Sequence, residues 1–109
     1  KMNDWQLILK EGQCYKLSFD WLREVNEDGS KNIKMAHADV VGTHGEVKGI
    51  TYGHAFILLG DNEVLDVCTN IQMDKRKYYD MGQVSNVKEY TTMEAVEKAV
   101  GTGHFGPWN

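Results

Sequence analysis

The sequence predicts an α+β domain in which an N-terminal helix and a short C-terminal helix pack on an antiparallel β-sheet. Three observations lead to this prediction: an apolar stripe of helical period in residues 14–25, two apolar runs around a turn in residues 55–68, and a capping pattern that begins at Thr91. Helix, strands and a terminal helix in this order are typical of α+β folds. The 109 residues suffice for one core, so we expect a single domain over 1–109.

Both predicted helices have the spacing and end signals that helices need. In the first, residues recur at intervals of three and four along one stripe: Cys14, Leu17, Trp21, Leu22 and Val25. A short entry loop, Glu11-Gly12-Gln13, precedes it. In the second, Thr91 and Glu94 form a capping box before residues 93–100, and Gly101 and Gly103 end the helix.

The strands are predicted from alternation and turn residues. Residues 33–41 alternate imperfectly and predict a strand, and residues 42–53 predict a glycine-rich connection with a short strand around 47–52. The strongest local pattern is a β-hairpin: two apolar runs, 55–59 and 64–68, flank the turn Gly60-Asp61-Asn62. Residues 69–83 look irregular and polar, and residues 84–90 predict a further strand.

Composition and charge narrow the functional classes. The net charge is −4, from 12 Lys and Arg against 16 Asp and Glu, which argues against binding of nucleic-acid phosphates. The only basic run, Lys75-Arg76-Lys77, is short enough for a solvated surface segment. No apolar stretch is long enough for a membrane span, and no signal-peptide pattern opens the chain. We therefore expect a protein of the cytoplasm without nucleic-acid or membrane partners.

Cys14 is the first candidate for chemistry. It stands at the predicted start of a helix, where the partial positive charge lowers thiol pKa and unpaired N–H groups are able to bind an oxyanion. His54 opens the hairpin beside Gly53, and Asp66 interrupts the apolar returning strand. A buried carboxylate needs a partner, and pairing with His54 would orient the imidazole as a base. The alternatives are a core position for Cys14, a hydrogen-bonded core histidine, and a solvent-facing Asp66.

The length of the hairpin turn decides whether Asp66 is able to reach His54. With a two-residue loop, Asp61-Asn62, residue 54 opposes residue 69 and Asp66 lies on the other face. With a three-residue loop over Gly60–Asn62, His54 opposes Cys68, and Asp66 shares its face two positions along. The hypothesis of a Cys14–His54–Asp66 site therefore requires the three-residue loop.

Other candidates are less specific. Cys68 ends an apolar strand and is interpreted as a small core residue, with a Cys14–Cys68 disulfide as the alternative. Histidines 37, 44 and 54 together with a cysteine would supply zinc ligands, but their spacing matches no zinc motif, and we expect no metal or other cofactor. Tyr52, two residues before His54, is the aromatic residue that we expect near a substrate.

The order of cysteine, histidine and polar residue resembles that of the papain-like cysteine peptidases, and most of all the compact NlpC-type members. In these, a histidine begins a hairpin strand and a polar residue follows twelve positions later, as His54 and Asp66 do here. The segment GHAFILLGDNEVLDV also resembles a signature of small, uncharacterised phage and bacterial relatives, and His37, Gly45 and Gly53 fall at matching positions. The likeness covers roughly residues 12–70. Gly12-Gln13-Cys14-Tyr15 departs from the usual Asp-Cys-Ser-Gly of NlpC-type proteins.

The resemblance implies a minimal papain-like fold and a cysteine-dependent peptidase or amidase, with deamidation or transamidation also open. Cys14 would be the nucleophile, His54 the base and Asp66 its orienting partner, with Gln13 as a contributor to the oxyanion site. The substrate would be a peptide or another amide or acyl compound, in the cytoplasm of a bacterium or a phage-infected cell. The alternative is a non-catalytic binding or inhibitor module, which the small size of the chain favours.

Overall fold

The computed structural model describes residues 13–108, which form three α-helices and a five-stranded sheet. The helices are α1 (Gln13–Asn26), α2 (Lys75–Gly82) and α3 (Thr92–Thr102). The strands are β1 (Ile33–Val41), β2 (Thr51–Leu59), β3 (Glu63–Asp66), β4 (Ile71–Asp74) and β5 (Ser85–Tyr90). The sheet order is β4-β3-β2-β1-β5, and each neighbouring pair is antiparallel. The predicted α+β class, with an N-terminal helix on an antiparallel sheet and a short C-terminal helix, is confirmed.

The sheet is covered on both faces, because its strands alternate apolar side chains to each side. One face packs against α1, α3 and the C-terminal segment in a core of seven buried residues: Phe19, Leu22, Met35, Ile57, Tyr90, Ala95 and Trp108. The other face packs against α2 in a second core: Ala36, Ala38, Phe56, Leu58, Val64 and Tyr78. His54 belongs to the alternating set of the second face, since it precedes Phe56 by two residues.

The buried side of α1 differs from the predicted stripe. Cys14 and Leu22 are buried as predicted, but Leu17, Trp21 and Val25 are only partly buried. The remaining buried positions are Tyr15, Ser18, Phe19 and Asn26. Because Ser18 and Asn26 are polar, a search for apolar periodicity does not find this buried face of α1. Asn26 is buried because its side chain holds the turn after the helix: it accepts from Lys31 N–H and donates to the carbonyls of Lys31 and Ile33.

Residues 69–83, predicted to be irregular, instead contain β4 and α2, so that prediction was wrong. Asp74 caps α2 by accepting a hydrogen bond from the backbone N–H of Lys77. Gln83 ends the helix in the left-handed conformation, with a φ of 46°. Because the C-cap is glutamine rather than glycine, the usual end signal is missing from the sequence. Helix α2 brings Tyr78 over the second face of the sheet.

The remaining boundaries differ from the predictions by small amounts, except around the glycine-rich connection. There a single 3-10 turn, Gly45–Val47, precedes β2, which begins at Thr51 and continues directly into the hairpin. The capping box of Thr91 and Glu94 is present, and Gly103 ends α3 in the left-handed conformation as predicted. Gly101, which was also predicted to end the helix, lies within it. The entry residues Glu11 and Gly12 lie outside the described range. Within residues 13–108, no helix is both long and apolar enough to cross a membrane.

His37 lies in an aromatic enclosure in the first core. Its ring packs at centroid distances of 4.8 Å from Tyr15, 5.0 Å from Tyr90 and 4.8 Å from Trp108. Within residues 13–108, neither ring nitrogen has a hydrogen-bond partner. Burial, helped by the positive charge of Lys88, lowers the pKa of His37 from 6.5 to about 4. The folded protein therefore keeps this imidazole neutral at a pH where the unfolded chain protonates it.

Stability should fall as the pH is lowered from 6.5 towards 4, because the unfolded state binds a proton at His37 that the native state excludes. The loss amounts to at most about 3 kcal/mol across this window. Urea unfolding of wild type and His37→Phe at several pH values measures it. The variant should have a flatter dependence, whereas substitution of the exposed His44 by Gln should leave the dependence as in wild type. Equal slopes in wild type and His37→Phe would contradict the assignment.

Candidate active site

The hairpin has the three-residue turn on which the predicted site depends. Leu59 pairs with Glu63 and Ile57 with Leu65, so Gly60–Asn62 form the loop. Gly60 adopts a φ of 67°, which glycine tolerates without strain. Continuing this register places Asp66 on the face of His54, and His54 Nε2 lies 2.8 Å from Asp66 Oδ2. The predicted contact between these two residues is confirmed.

Asp66 has two further hydrogen-bond partners. The Tyr78 hydroxyl donates to Asp66 Oδ2 at 2.6 Å, and the backbone N–H of Thr69 donates to Oδ1 at 3.2 Å. Three donors therefore satisfy a carboxylate that is almost fully buried. This role of Tyr78 was not predicted, because helix α2 was not predicted. Asp74 is a typical N-cap residue, and Tyr78 follows it by one helical turn, so this spacing was the feature of the sequence that indicated helix α2.

The pair is charged at neutral pH. Burial alone would lower the pKa of His54, but the hydrogen bond to Asp66 and then the interaction with Cys14 outweigh it and raise that pKa to about 9. Burial has the opposite effect on a carboxyl group and would raise the pKa of Asp66. The hydrogen bonds with His54, Tyr78 and Thr69 outweigh burial and keep the pKa of Asp66 below the usual range. His54 is thus an imidazolium held by a carboxylate.

Cys14 lies in the first turn of α1, fully buried against Tyr15 and Ala55. The neighbouring thiol of Cys68 has the largest influence on the pKa of Cys14 and lowers it. Burial opposes this, and the interactions with His54 and with the backbone N–H of Ala55 add to it, so that the pKa of Cys14 falls from 9.0 to about 5. This shift favours the thiolate form of Cys14.

The thiolate reaches His54 where the sheet is interrupted. Helix α1 covers the face opposite to His54, but the ladder between β2 and β3 ends at Ile57 and Leu65. Beyond this point the N–H of Ala55 is directed to the Cys14 sulfur instead of to a strand. Asp66 occupies Nε2 of His54, which leaves Nδ1 for the thiolate. Within residues 13–108, Nδ1 is buried and no atom meets the full geometry of a hydrogen bond with it. The Cys14 sulfur and the His54 ring influence each other's pKa, but they do not form a complete hydrogen bond.

Gly53 is required beside this site. The Tyr15 hydroxyl lies where a Cβ of residue 53 would be, so any larger residue would collide with it. The absence of a side chain at Gly53 thus leaves room for Tyr15. The pKa of Tyr15 is raised to about 12 by burial and by the negative charge of Cys14. Tyr15 is therefore a neutral wall of the thiolate site.

The contact of Cys68 with Cys14 was not predicted from the sequence. It lies in the turn that follows β3, packs against the cluster around Cys14, and is partly exposed. Both cysteines are free, so there is no disulfide between them. The interaction with the Cys14 thiolate and burial raise the pKa of Cys68, which keeps it a neutral S–H donor. The signal in the sequence was the register itself, which places residue 68 opposite His54.

A cavity of about 620 Å³ opens beside His54, Asp66 and Cys68. Tyr52 also lines it, with its ring 6.1 Å from that of His54 and its pKa raised to about 12, by burial first and then by Asp66. Its place near a substrate stays a prediction. Cys14 is not among the described residues that line this cavity. Gln13 is exposed at the first residue of α1 and is not among the described residues around the cavity, so its oxyanion role stays a prediction.

No metal centre is formed by the described part of the chain. Within residues 13–108, no three histidine, cysteine or acidic side chains converge in a way that would hold a metal ion. His37 lies in the aromatic enclosure, whereas His44 is in the exposed loop after β1, where its Nδ1 is 2.8 Å from Thr43 Oγ1. The three histidines considered for zinc are therefore not gathered at one site.

Comparison with known proteins gives no relative: no protein-family model, no curated protein and no solved structure matches the chain. The resemblance to NlpC-type peptidases thus stays a prediction from motif order, and the site must be interpreted from its own geometry.

Replacing Tyr78 by Phe should destabilise the protein by about 1–3 kcal/mol, because it removes a hydrogen bond to a buried, charged carboxylate. Tyr79→Phe is the matched control on the same helix. The Tyr79 hydroxyl is buried and has no hydrogen-bond partner in the described part of the chain, so its removal should be neutral or stabilising. Denaturant unfolding at neutral pH measures both. A loss from Tyr79→Phe equal to that from Tyr78→Phe would contradict the assigned bond.

Proposed function

We propose that the protein is a cysteine-dependent acyl-transfer enzyme, a peptidase or amidase in the broad sense. The observation that carries the proposal is the order of three buried groups: the carboxylate of Asp66 on Nε2 of His54, and the thiolate of Cys14 near its other nitrogen. A thiolate paired with an imidazolium is both a nucleophile and a proton donor. The substrate would be an amide, ester or thioester.

In the first step, the Cys14 sulfur attacks the substrate carbonyl carbon and a C–S bond forms. The oxyanion is stabilised by backbone N–H groups of the first turn of α1, with Gln13 as a further donor. The imidazolium of His54 then gives its proton to the leaving group, and the bond to that group breaks. Asp66, held by Tyr78 and Thr69, keeps His54 oriented throughout. In the second step, neutral His54 takes a proton from water or an amine, which attacks the thioester and releases Cys14.

Access is the constraint on this mechanism. A substrate that enters through the cavity meets Cys68 first, because Cys14 is fully buried. Cys68 belongs to a turn rather than to a strand. Rotation of the Cys68 side chain, or displacement of its turn, would open the path while leaving β2 and α1 in place. The proposed enzyme therefore includes Cys68 as the residue that covers the nucleophile.

A second candidate function is a non-catalytic binding module, and the full burial of Cys14 favours it. In that case the thiolate and imidazolium would be a structural ion pair, and the cavity would bind a ligand without reaction. The two functions differ in one respect that is easy to measure, which is whether a small electrophile reaches Cys14.

Chloroacetamide at pH 7 should alkylate Cys14 faster than Cys68, although Cys68 is the more exposed, because only the thiolate is nucleophilic. His54→Ala removes the positive partner and should slow Cys14 labelling at least tenfold. Peptide mass spectrometry resolves the two sites. Equal slow labelling of both cysteines, or faster labelling of Cys68, would refute the enzyme and support the binding module.

The pH dependence of the same reaction tests the ion pair. Labelling of Cys14 should reach its plateau above a pH of about 5, whereas a thiol with the ordinary pKa of 9.0 would react roughly a thousandfold more slowly at pH 6. Acyl transfer to a chromogenic ester should rise through pH 5 and fall above about 9, where His54 loses its proton. A labelling rate that still rises tenfold per pH unit between 6 and 8 would contradict the assigned thiolate.

A further inference from the structure

The cavity beside His54 has mainly apolar walls. Six aliphatic and thioether side chains from β1, the following loop, β4 and α2 contribute to them: Val40, Val41, Val47, Ile71, Met73 and Met81. Its volume of about 620 Å³ lies within the range of small-molecule sites. Thioether side chains adapt to ligands of different shape. The walls therefore favour a flexible apolar group over a rigid polar one.

The described walls hold no lysine, arginine or glutamate. His54 and Asp66 are paired there, and the other titratable side chains of the described lining are His44, Tyr52, Cys68 and Tyr78. A carboxylate or phosphate group would lose its hydration among mainly apolar walls without gaining a lysine or arginine counter-ion, which is unfavourable. The described lining thus selects against anionic groups.

Apolar side chains also lie exposed at the cavity. Ile71 is 41% exposed and Met81 47% exposed, and both belong to its lining. Ile71 belongs to β4 and Met81 to α2. A ligand in the cavity would cover the apolar surface of these two side chains, which the described chain leaves open to water. The polar wall formed by His54, Asp66 and Cys68 marks where the reacting carbonyl would lie.

We propose that the cavity binds a neutral aliphatic acyl group, with its carbonyl carbon at the wall formed by His54 and Cys68. The inference rests on the proposed function and names its substrate class: an acyl ester, thioester or amide whose chain occupies the cavity. The acyl–oxygen, –sulfur or –nitrogen bond breaks as the Cys14–acyl bond forms, and the leaving group takes the proton of His54. Neutral His54 then takes a proton from water as the water oxygen attacks the thioester carbonyl. The C–S bond breaks, the carboxylic acid is released, and Cys14 returns to the thiolate beside the imidazolium of His54.

The test uses p-nitrophenyl esters of acetate, butyrate, hexanoate and octanoate, with the Cys14→Ala rate subtracted. Each buried methylene should raise kcat/KM by up to about fourfold. Met81→Glu places a charge at the cavity. The increase in kcat/KM for every two added methylenes should be at least threefold smaller in this variant than in wild type. Met93→Glu is the matched control, since Met93 is 73% exposed on α3 and is not in the cavity lining. It should leave the dependence unchanged.

Turnover with the same kcat/KM for acetate and octanoate would overturn the acyl inference while leaving the proposed enzyme intact. Binding to Cys14→Ala separates the opposite case. Octanamide should bind at least tenfold more tightly than butyramide in a calorimetric titration, and Met81→Glu should weaken octanamide selectively. If this selectivity is found without any ester turnover above the Cys14→Ala rate, the apolar specificity stands and the enzymatic proposal fails. Equal binding of the two amides overturns the inference.

Discussion

The charged pair of His54 and Asp66 is buried where the pairing of the interior strands β2 and β3 ends, and burying two charges is unfavourable unless their geometry and hydrogen bonding are nearly complete. The surrounding structure meets that requirement. The three-residue turn at Gly60–Asn62 sets the register that brings the two side chains to 2.8 Å, and Tyr78 and Thr69 supply the remaining donors to the carboxylate. Helix α2 is therefore needed for the electrostatics of the site as well as for the second core.

The interruption of the sheet matters as much as its register. If β3 continued alongside β2 to Cys68, the N–H of Ala55 would be taken up in a ladder and the thiol of α1 would be kept on the other face. Because the ladder ends at Leu65, Cys14 reaches His54 at this point, and Cys68 packs against Cys14 and lines the cavity. The same turn thus permits the approach of Cys14 to His54 and contributes to the burial of Cys14. This explains how a thiol with a low pKa is also fully buried.

The sequence was sufficient for the fold class, the hairpin, the capping box and the contact of His54 with Asp66, because each follows from period, turn chemistry or register. The buried face of α1 was less predictable, since Ser18 and Asn26 are buried by tertiary hydrogen bonding and packing that an apolar pattern does not detect. Helix α2 was missed because it is short, begins with three basic residues and ends at Gln83 instead of glycine. The role of Cys68 depends on where β3 leaves the sheet, which only tertiary packing determines.

The central claim is that Cys14 and His54 form an ion pair, and the charge of His54 tests it most directly. In protein labelled with ¹⁵N at histidine, both ring nitrogens of His54 should have the chemical shifts of an imidazolium at pH 7.5, where His37 is neutral. Asp66→Asn, which keeps the shape of the side chain but removes its charge, should shift the equilibrium towards the neutral ring. A neutral His54 in the wild-type protein at pH 7.5, with one protonated nitrogen, would contradict the account.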